Sequence, residues 1–157
     1  MTHILLICTG NTCRSPLAEA MLRRKLQERG VEGVTVGSAG TGAWDGAPAS
    51  EGAYLVALEH GLDLSSHRAR LLTRELVDGS DLVLTMARHH LARAEQLGAS
   101  GKAHLLGEFA GGEGATAEVR DPFGGDLEGY RETYEELDAM LGAIVARLER
   151  ERLGDRR

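Results

Sequence analysis

The sequence has few cysteines and no long hydrophobic segment, and both features restrict the class of protein to which it can belong. Its two cysteines, Cys8 and Cys13, lie in one short segment, so they do not form the disulfide framework of a small secreted protein. No apolar run approaches the roughly 20 residues of a membrane-spanning helix, and the N-terminus lacks a secretory signal pattern. We therefore expect a cytoplasmic protein with no membrane partner.

The sequence also lacks an excess of positive charge. Its 24 acidic and 18 basic residues give a formal net charge of −6, which argues against a nucleic-acid partner. No spacing of His, Cys and carboxylate residues is typical of a metal site, so neither a metal nor a cofactor is expected. The 157 residues are enough for one domain with a substantial core, and we expect a single domain over residues 1–157 and a monomer.

One segment organises the rest of the chain. It follows a short apolar run at residues 4–7 and precedes a helical pattern that opens at Pro16. A strand, a tight loop and a helix N-terminus in that order form a binding site for an anion. The segment reads Cys8-Thr9-Gly10-Asn11-Thr12-Cys13-Arg14-Ser15.

The residue types in this loop suit covalent phosphoryl transfer. Cys8 is the candidate nucleophile, as a thiolate, and Arg14 offers a planar guanidinium to the phosphoryl oxygens. Gly10 permits a positive φ, and Asn11 tolerates a left-handed turn, so the loop amides can converge on the anion. The Ser15 hydroxyl is expected to stabilise the thiolate. The competing interpretation is that Cys8 ends a buried strand and Arg14 lies on the surface.

Strand and helix patterns alternate along the chain, which predicts an α/β fold with a parallel sheet and flanking helices. Helix two should bury Tyr54, Leu55 and Leu58, residues 107–117 should be mobile, and residues 149–157 should fray. Since ligands bind at the carboxyl ends of strands in such folds, the loop after the first strand is the expected site. Strands are predicted over residues 4–7, 34–36, 81–86 and 104–106, and helices over residues 16–29, 50–60, 73–77, 91–97 and 127–153.

The loop sequence resembles the signature of the low-molecular-weight protein tyrosine phosphatases. The resemblance implies their fold, a doubly wound α/β sheet of four parallel strands flanked by helices, with which the pattern of strands and helices is compatible. The loop glycine stands two residues after the cysteine, whereas classical and dual-specificity phosphatases have it three residues after. The resemblance extends over nearly the whole chain, through three further segments. They are Ser38-Ala39-Gly40-Thr41, Ser66-His67-Arg68-Ala69-Arg70 and Asp121-Pro122-Phe123-Gly124-Gly125.

The resemblance implies roles for residues outside the loop. Asp121 corresponds to the family's general acid, with Asp126 as a neighbour that looks like a helix N-cap instead. Ser38 and His67 resemble residues that hydrogen-bond to the loop asparagine. Trp44 and Phe123 are expected at the mouth of the pocket. The other histidines, namely His3, His60, His89, His90 and His104, are expected to be surface or packing residues.

The second cysteine predicts redox sensitivity. A reactive thiolate at Cys8 beside Cys13 forms a poised pair, and we expect a reversible disulfide between them. An arsenate reductase shares this loop but needs further cysteines to relay a disulfide, and the sequence has none. A simple phosphate-binding protein needs neither a nucleophile nor an acid.

Thr12 bears on the substrate. Tyrosine phosphatases of this family usually have an apolar residue at this place, and the threonine resembles the bacterial protein arginine phosphatases. A polar rim beside Asp121 suits a cationic guanidinium better than a phenyl ring. We expect a phosphorylated protein as the partner, with phosphoarginine slightly favoured over phosphotyrosine, and phosphate or other oxyanions bound by residues 9–15.

Overall fold

The computed structural model describes residues 1–112 and 117–155. It contains one four-stranded sheet in the order β2-β1-β3-β4, and every neighbouring pair of strands is parallel. The strands are β1 (Thr2–Cys8), β2 (Val34–Gly40), β3 (Leu82–Thr85) and β4 (Ala103–Leu105). The predicted doubly wound α/β sheet is therefore confirmed.

Helices connect these strands and follow the last one. A π-helical turn, Glu95–Ala99, continues the fourth helix, and Gly98 within it has a φ of 102°. The helices are α1 (Arg14–Glu28), α2 (Glu51–Glu59), α3 (Arg74–Asp78), α4 (Arg88–Ala94), α5 (Leu106–Phe109) and α6 (Leu127–Asp155).

The sheet is buried on both faces. Side chains alternate along β1, so Ile4 and Leu6 join one apolar cluster while Leu5 and Ile7 join the other. The first cluster packs under α1, α2 and α6, and the second packs under α3 and α4. Each fully buried leucine or isoleucine contributes about 1.5–3 kcal/mol, so β1 is the most firmly held strand.

The central position of β1 locates the site. The chain leaves β1 through α1 to pair β2 on one side, and later returns to pair β3 on the other side. Ligands bind in such sheets at the carboxyl ends of the strands where the chain direction reverses. Residues 9–13 connect the end of β1 to the start of α1, so they lie at this reversal point.

The structure corrects the sequence-based prediction for two elements near the site. β2 runs to Gly40 rather than Val36, because it stays paired with β1 as far as Cys8, and Gly40 also exchanges backbone hydrogen bonds with Arg70 and Leu72. In α2, Leu55 and Leu58 are exposed, contrary to expectation. The buried face consists of Ala53, Val56 and Ala57, because the helix lies close to α6 and small residues permit that approach.

Two segments that were expected to be flexible contain helical structure. Within residues 107–117, expected to be mobile, α5 continues through Phe109, and residues 113–116 lie outside the described residues. The C-terminal end, expected to fray, is helical as far as Asp155, while residues 156 and 157 lie outside the described residues. An Arg147–Glu151 pair stabilises the last turns of this helix.

Candidate active site

The loop between β1 and α1 turns sharply at Asn11. Asn11 is fully buried and has a φ of 56°, as predicted, whereas Gly10 does not adopt a positive φ, contrary to expectation. A neighbouring glycine, Gly40 at the end of β2, allows the loop to approach the sheet closely. A Cβ at Gly40 would lie 2.4 Å from the Thr9 carbonyl oxygen, so this position requires glycine.

The Asn11 side chain makes three hydrogen bonds, and its backbone carbonyl makes a fourth contact. Its Nδ2 donates to Ser15 Oγ at 2.7 Å and to Ser38 Oγ at 2.9 Å, and its Oδ1 accepts from the Arg70 amide at 3.0 Å. His67 Nε2 lies 2.7 Å from the Asn11 carbonyl, to which it donates. Since a left-handed asparagine is a strained conformation, four partners hold the loop in its shape. The contacts predicted for Ser38 and His67 are present.

A chain of hydrogen bonds connects the Asn11 side chain to Cys8, the candidate nucleophile. Cys8 Sγ lies 2.9 Å from Ser15 Oγ, and both residues are buried. Because Asn11 already donates to Ser15 Oγ, the Ser15 hydroxyl proton is free to point at the sulfur. On the far side, Ser38 Oγ donates to Glu19 Oε1 at 2.6 Å. The geometry provides a hydrogen-bond donor for a thiolate at Cys8.

Arg14 connects the loop to the segment that carries Asp121. The Arg14 side chain is buried, and its Nη1 donates to the Val119 carbonyl at 3.0 Å. Its Nη2 lies 3.6 Å from Asp121 Oδ2, while Asp121 Oδ1 accepts from the Phe123 amide at 3.0 Å. These two contacts orient the carboxylate, whose side chain remains 51% exposed. A half-exposed carboxyl group beside a buried guanidinium can exchange a proton with a bound substrate.

Cys13 contacts the N-cap residue of α2 and a residue of α6, and both differ from the partners of Arg14. Its Sγ donates to Ser50 Oγ at 3.2 Å and lies 3.5 Å from the Tyr130 hydroxyl. Burial and the contact with Cys13 raise the pKa of Tyr130, so its hydroxyl stays protonated. Thr12 precedes Cys13, is partly exposed, and its carbonyl accepts from the Ser50 amide at 2.8 Å. The two loop cysteines are free thiols.

The predicted aromatic residues are both strongly exposed. Trp44 is 84% exposed in the loop after β2, and Phe123 is 74% exposed in the loop before α6. Neither lines the 910 Å³ cavity that borders Arg14 and Asp121. Asp126 caps α6, as predicted, by accepting from the Gly129 amide at 3.0 Å.

His90, expected from the sequence to be a surface or packing residue, contacts the loop. The side chain is completely buried in the first turn of α4, and its Nε2 lies 2.8 Å from Thr9 Oγ1. Burial, with smaller contributions from His89 and Arg14, lowers its pKa to about 3, so the ring is neutral. The only sequence signal was its place just after β3, where the carboxyl ends of strands form sites.

The end of β1, the start of α1 and the segment before α6 together bring a thiol, a hydroxyl donor, a buried guanidinium and a carboxyl group to one end of the sheet. This arrangement can bind a tetrahedral oxyanion and perform nucleophilic displacement on it. Within residues 1–112 and 117–155, no three His, Cys, Asp or Glu side chains converge as metal ligands. Among the described helices, none combines the length and apolar character needed to cross a membrane.

Comparisons with known proteins agree on one family. The family described as "Low molecular weight phosphotyrosine protein phosphatase" matches residues 3–153. A probable low-molecular-weight protein-tyrosine-phosphatase, EpsP of Ralstonia nicotianae, is 38% identical over 145 residues, which cover 92% of this chain and 94% of that protein. A protein-arginine-phosphatase of Geobacillus stearothermophilus is 37% identical over 153 residues, which cover 95% of this chain and 97% of that protein.

A solved structure of YwlE arginine phosphatase has the same fold. It superposes with a TM-score of 0.89 at 36% identity and covers 96% of this chain and 98% of that chain. The structure is of a cysteine-to-serine mutant with a phosphorylated active-site serine. Relatives named for tyrosine and for arginine are almost equally similar to this chain, so overall identity does not separate the two substrates.

Proposed function

Because the chain belongs to the low-molecular-weight phosphotyrosine protein phosphatase family, we propose that it hydrolyses phosphorylated protein residues through a cysteinyl-phosphate intermediate. The observation that carries this proposal is the contact between Cys8 Sγ and Ser15 Oγ, at 2.9 Å, within a loop that also supplies Arg14. A binding protein for phosphate has no need of a buried thiol with a dedicated hydroxyl donor.

The proposed reaction has two displacements at phosphorus. In the first, the Cys8 thiolate attacks, the bond to the leaving oxygen or nitrogen breaks, and Asp121 donates a proton to that atom. In the second, water attacks the phosphocysteine, Asp121 accepts its proton, and the thiolate departs toward the Ser15 hydroxyl. Arg14 and the amides of residues 9–15 bind the equatorial oxygens in both steps.

The phosphorylated serine in the arginine phosphatase mutant supports this mechanism. In that protein, a serine in place of the cysteine carries a phosphoryl group. We infer that Cys8, at the end of β1, is the corresponding residue of this chain. A covalent phosphoryl-enzyme therefore requires no rearrangement of this fold.

The proposed substrate preference rests on the rim of the loop. Thr12 is partly exposed and presents a β-branched hydroxyl where an apolar side chain would favour a phenyl ring. The Asp121 carboxylate, also partly exposed, can pair with a guanidinium as well as protonate its leaving nitrogen. We therefore propose phosphoarginine as the slightly favoured substrate, with activity on phosphotyrosine. We also propose that the enzyme acts in the cytoplasm as a monomer, as a single domain.

The experiment that tests the preference compares two peptides. They share one sequence and carry phosphoarginine or phosphotyrosine at the same position, and kcat/KM is measured for wild type and for Thr12→Ile. Wild type is expected to prefer phosphoarginine by a small factor, and Thr12→Ile is expected to reverse the order by about tenfold, the size of one rim contact. Thr12→Val removes the hydroxyl, whereas Thr12→Ser keeps it. Comparing the two variants separates the effect of losing the hydroxyl from the effect of gaining apolar surface.

A phosphotyrosine preference in wild type that Thr12→Ile leaves unchanged would contradict the rim proposal and identify a plain tyrosine phosphatase. Activity on neither peptide, with intact binding of inorganic phosphate, would contradict the proposed hydrolysis itself.

The two loop cysteines lead to a prediction about oxidation. Peroxide is expected to inactivate wild type through a sulfenic acid at Cys8, which condenses with Cys13 to a disulfide that dithiothreitol reduces. Cys13→Ser cannot form this bond, so its Cys8 should proceed to higher, irreversible oxidation states. The measurement is activity recovered by dithiothreitol after graded peroxide treatment. Equal recovery in wild type and Cys13→Ser would contradict the prediction.

A further inference from the structure

His90 is an unusual residue in the buried part of this structure. The ring is 0% exposed, yet only one of its two nitrogens has a partner. Nε2 contacts Thr9 Oγ1, while Nδ1 is buried without a hydrogen-bond partner among the described residues. A buried polar atom without a partner lowers stability, so an apolar side chain would be the more stabilising choice at this position.

The partner of His90 is the first residue of the phosphate-binding loop. Thr9 follows Cys8 directly, and its carbonyl oxygen accepts from the Gly42 amide at 2.9 Å. The hydroxyl contact with His90, at 2.8 Å, holds the same residue from the side of α4. Thr9 is otherwise exposed. These two contacts anchor the start of the loop between the segment after β2 and the helix after β3.

Protonation of His90 does not disturb its contact with Thr9 in the pH range where a phosphatase works. Desolvation, with smaller contributions from His89 and Arg14, keeps the pKa of His90 at about 3, so the ring is neutral above pH 4. A neutral imidazole either donates to the Thr9 hydroxyl or accepts from it. Either arrangement fixes the Thr9 side chain without adding a positive charge beside Arg14.

We propose that His90 is a positioning residue for phosphoryl transfer, which acts through Thr9 to hold the start of the loop where its amides meet the phosphoryl oxygens. The proposal rests on the proposed function. His90 touches neither substrate nor sulfur in this account. Its contribution is to the geometry of Thr9. The observation that separates this role from simple packing is the buried Nδ1, which has no hydrogen-bond partner among the described residues.

The test is a double-mutant cycle on the two partners. Thr9→Val removes the hydroxyl at constant shape, and His90→Leu replaces the ring by an apolar side chain. Thr9→Ser and His90→Gln are the matched controls, since each keeps a group able to make the contact. Activity is measured as kcat and KM on p-nitrophenyl phosphate, and melting temperature is measured for every variant.

Thr9→Val and His90→Leu are each expected to lower kcat/KM by about tenfold, the rate equivalent of one hydrogen bond. The double variant should lose no more than either single variant, because both remove the same contact. His90→Leu should melt at the wild-type temperature or above it. The two control variants should recover most of the activity.

Binding of inorganic phosphate to the Cys8→Ser background, followed by calorimetry, tests the same cycle without turnover. Weaker phosphate binding in both His90→Leu and Thr9→Val would support the proposal even if wild type hydrolysed no phosphoprotein. Losses that multiply in the double variant would overturn it. So would unchanged phosphate affinity in both variants, or a fall in melting temperature that parallels the fall in activity.

Discussion

Replacing Cys8 by serine is expected to lower turnover by about 10⁴-fold or more, since a serine hydroxyl in this loop is a far weaker nucleophile than a thiolate. The substitution changes one atom at a buried position 2.9 Å from Ser15 Oγ, so the loop should keep its shape. Binding of inorganic phosphate should therefore persist. The measurements are kcat on p-nitrophenyl phosphate and the dissociation constant of phosphate by calorimetry.

Cys13→Ser is the matched control for this prediction. It makes the same atomic change five residues later, at a thiol that contacts Ser50 and Tyr130 instead of the proposed reacting atoms. Its turnover should fall far less than that of Cys8→Ser. Comparable losses in the two variants would mean that the loop, rather than the Cys8 thiolate, was damaged. A Cys8→Ser enzyme with near-wild-type turnover would remove Cys8 from the mechanism.

Asp121→Asn should show the second largest effect, and the size should depend on the leaving group. Asparagine keeps an oxygen that can accept from the Phe123 amide, so the loop conformation is retained while the proton donor is lost. General acid catalysis contributes about 10²–10⁴-fold for a leaving group that needs a proton. We expect a loss in this range for phenyl phosphate and a much smaller loss for p-nitrophenyl phosphate in the first chemical step.

The experiment measures that first step by single-turnover kinetics across a series of substituted phenyl phosphates. Asp121→Ala should give the same dependence with an added loss from the freed Phe123 amide. Asp126→Ala, which removes the N-cap of α6, is the control for a carboxylate in the same segment. It should cost about 1 kcal/mol of stability and leave the leaving-group dependence unchanged. Equal losses of Asp121→Asn across the series would contradict its assignment as the acid.

The strand-loop-helix unit at the start of the chain could be predicted because its signals are local. A continuous apolar run precedes the loop, Asn11 takes the left-handed conformation, and Pro16 stands in the first turn of α1. The comparisons confirm the family that these residues and the later segments indicated. The alternation of strand and helix patterns is also a local signal, and it predicted the parallel sheet.

The buried face of α2 could not be predicted from the local sequence. Leu55 and Leu58 have the apolar character of a buried face, but the structure buries Ala53 and Ala57 instead. The reason is tertiary: a Cβ at Gly52 would lie 2.4 Å from the Tyr130 ring of α6, so α2 must present its smallest residues to that helix. Periodicity reports that a helix has an apolar face, and only the partner helix determines which face is used.

The site residues also divide into those that local sequence signals predict and those that depend on tertiary contacts. The loop motif indicated Cys8 and Arg14, whereas the partners of the loop come from distant segments. The Arg70 amide reaches Asn11 across 59 positions, and His90 reaches Thr9 across 81. Such contacts depend on how β2 and α4 flank β1, and no spacing in the sequence encodes that distance. The substrate is still harder to predict from the sequence, because the preference that we propose depends on a single rim residue, Thr12.

The measurement that tests the central claim most directly is acid quenching of the enzyme during turnover of p-nitrophenyl phosphate, followed by mass spectrometry of its peptides. The cysteinyl-phosphate mechanism predicts that the peptide containing Cys8 gains the mass of one phosphoryl group. The modification should disappear when substrate is exhausted, and the Cys13→Ser variant should show it equally. An active enzyme whose Cys8 peptide stays unmodified while another residue carries the phosphoryl group would contradict the proposed cysteinyl-phosphate mechanism.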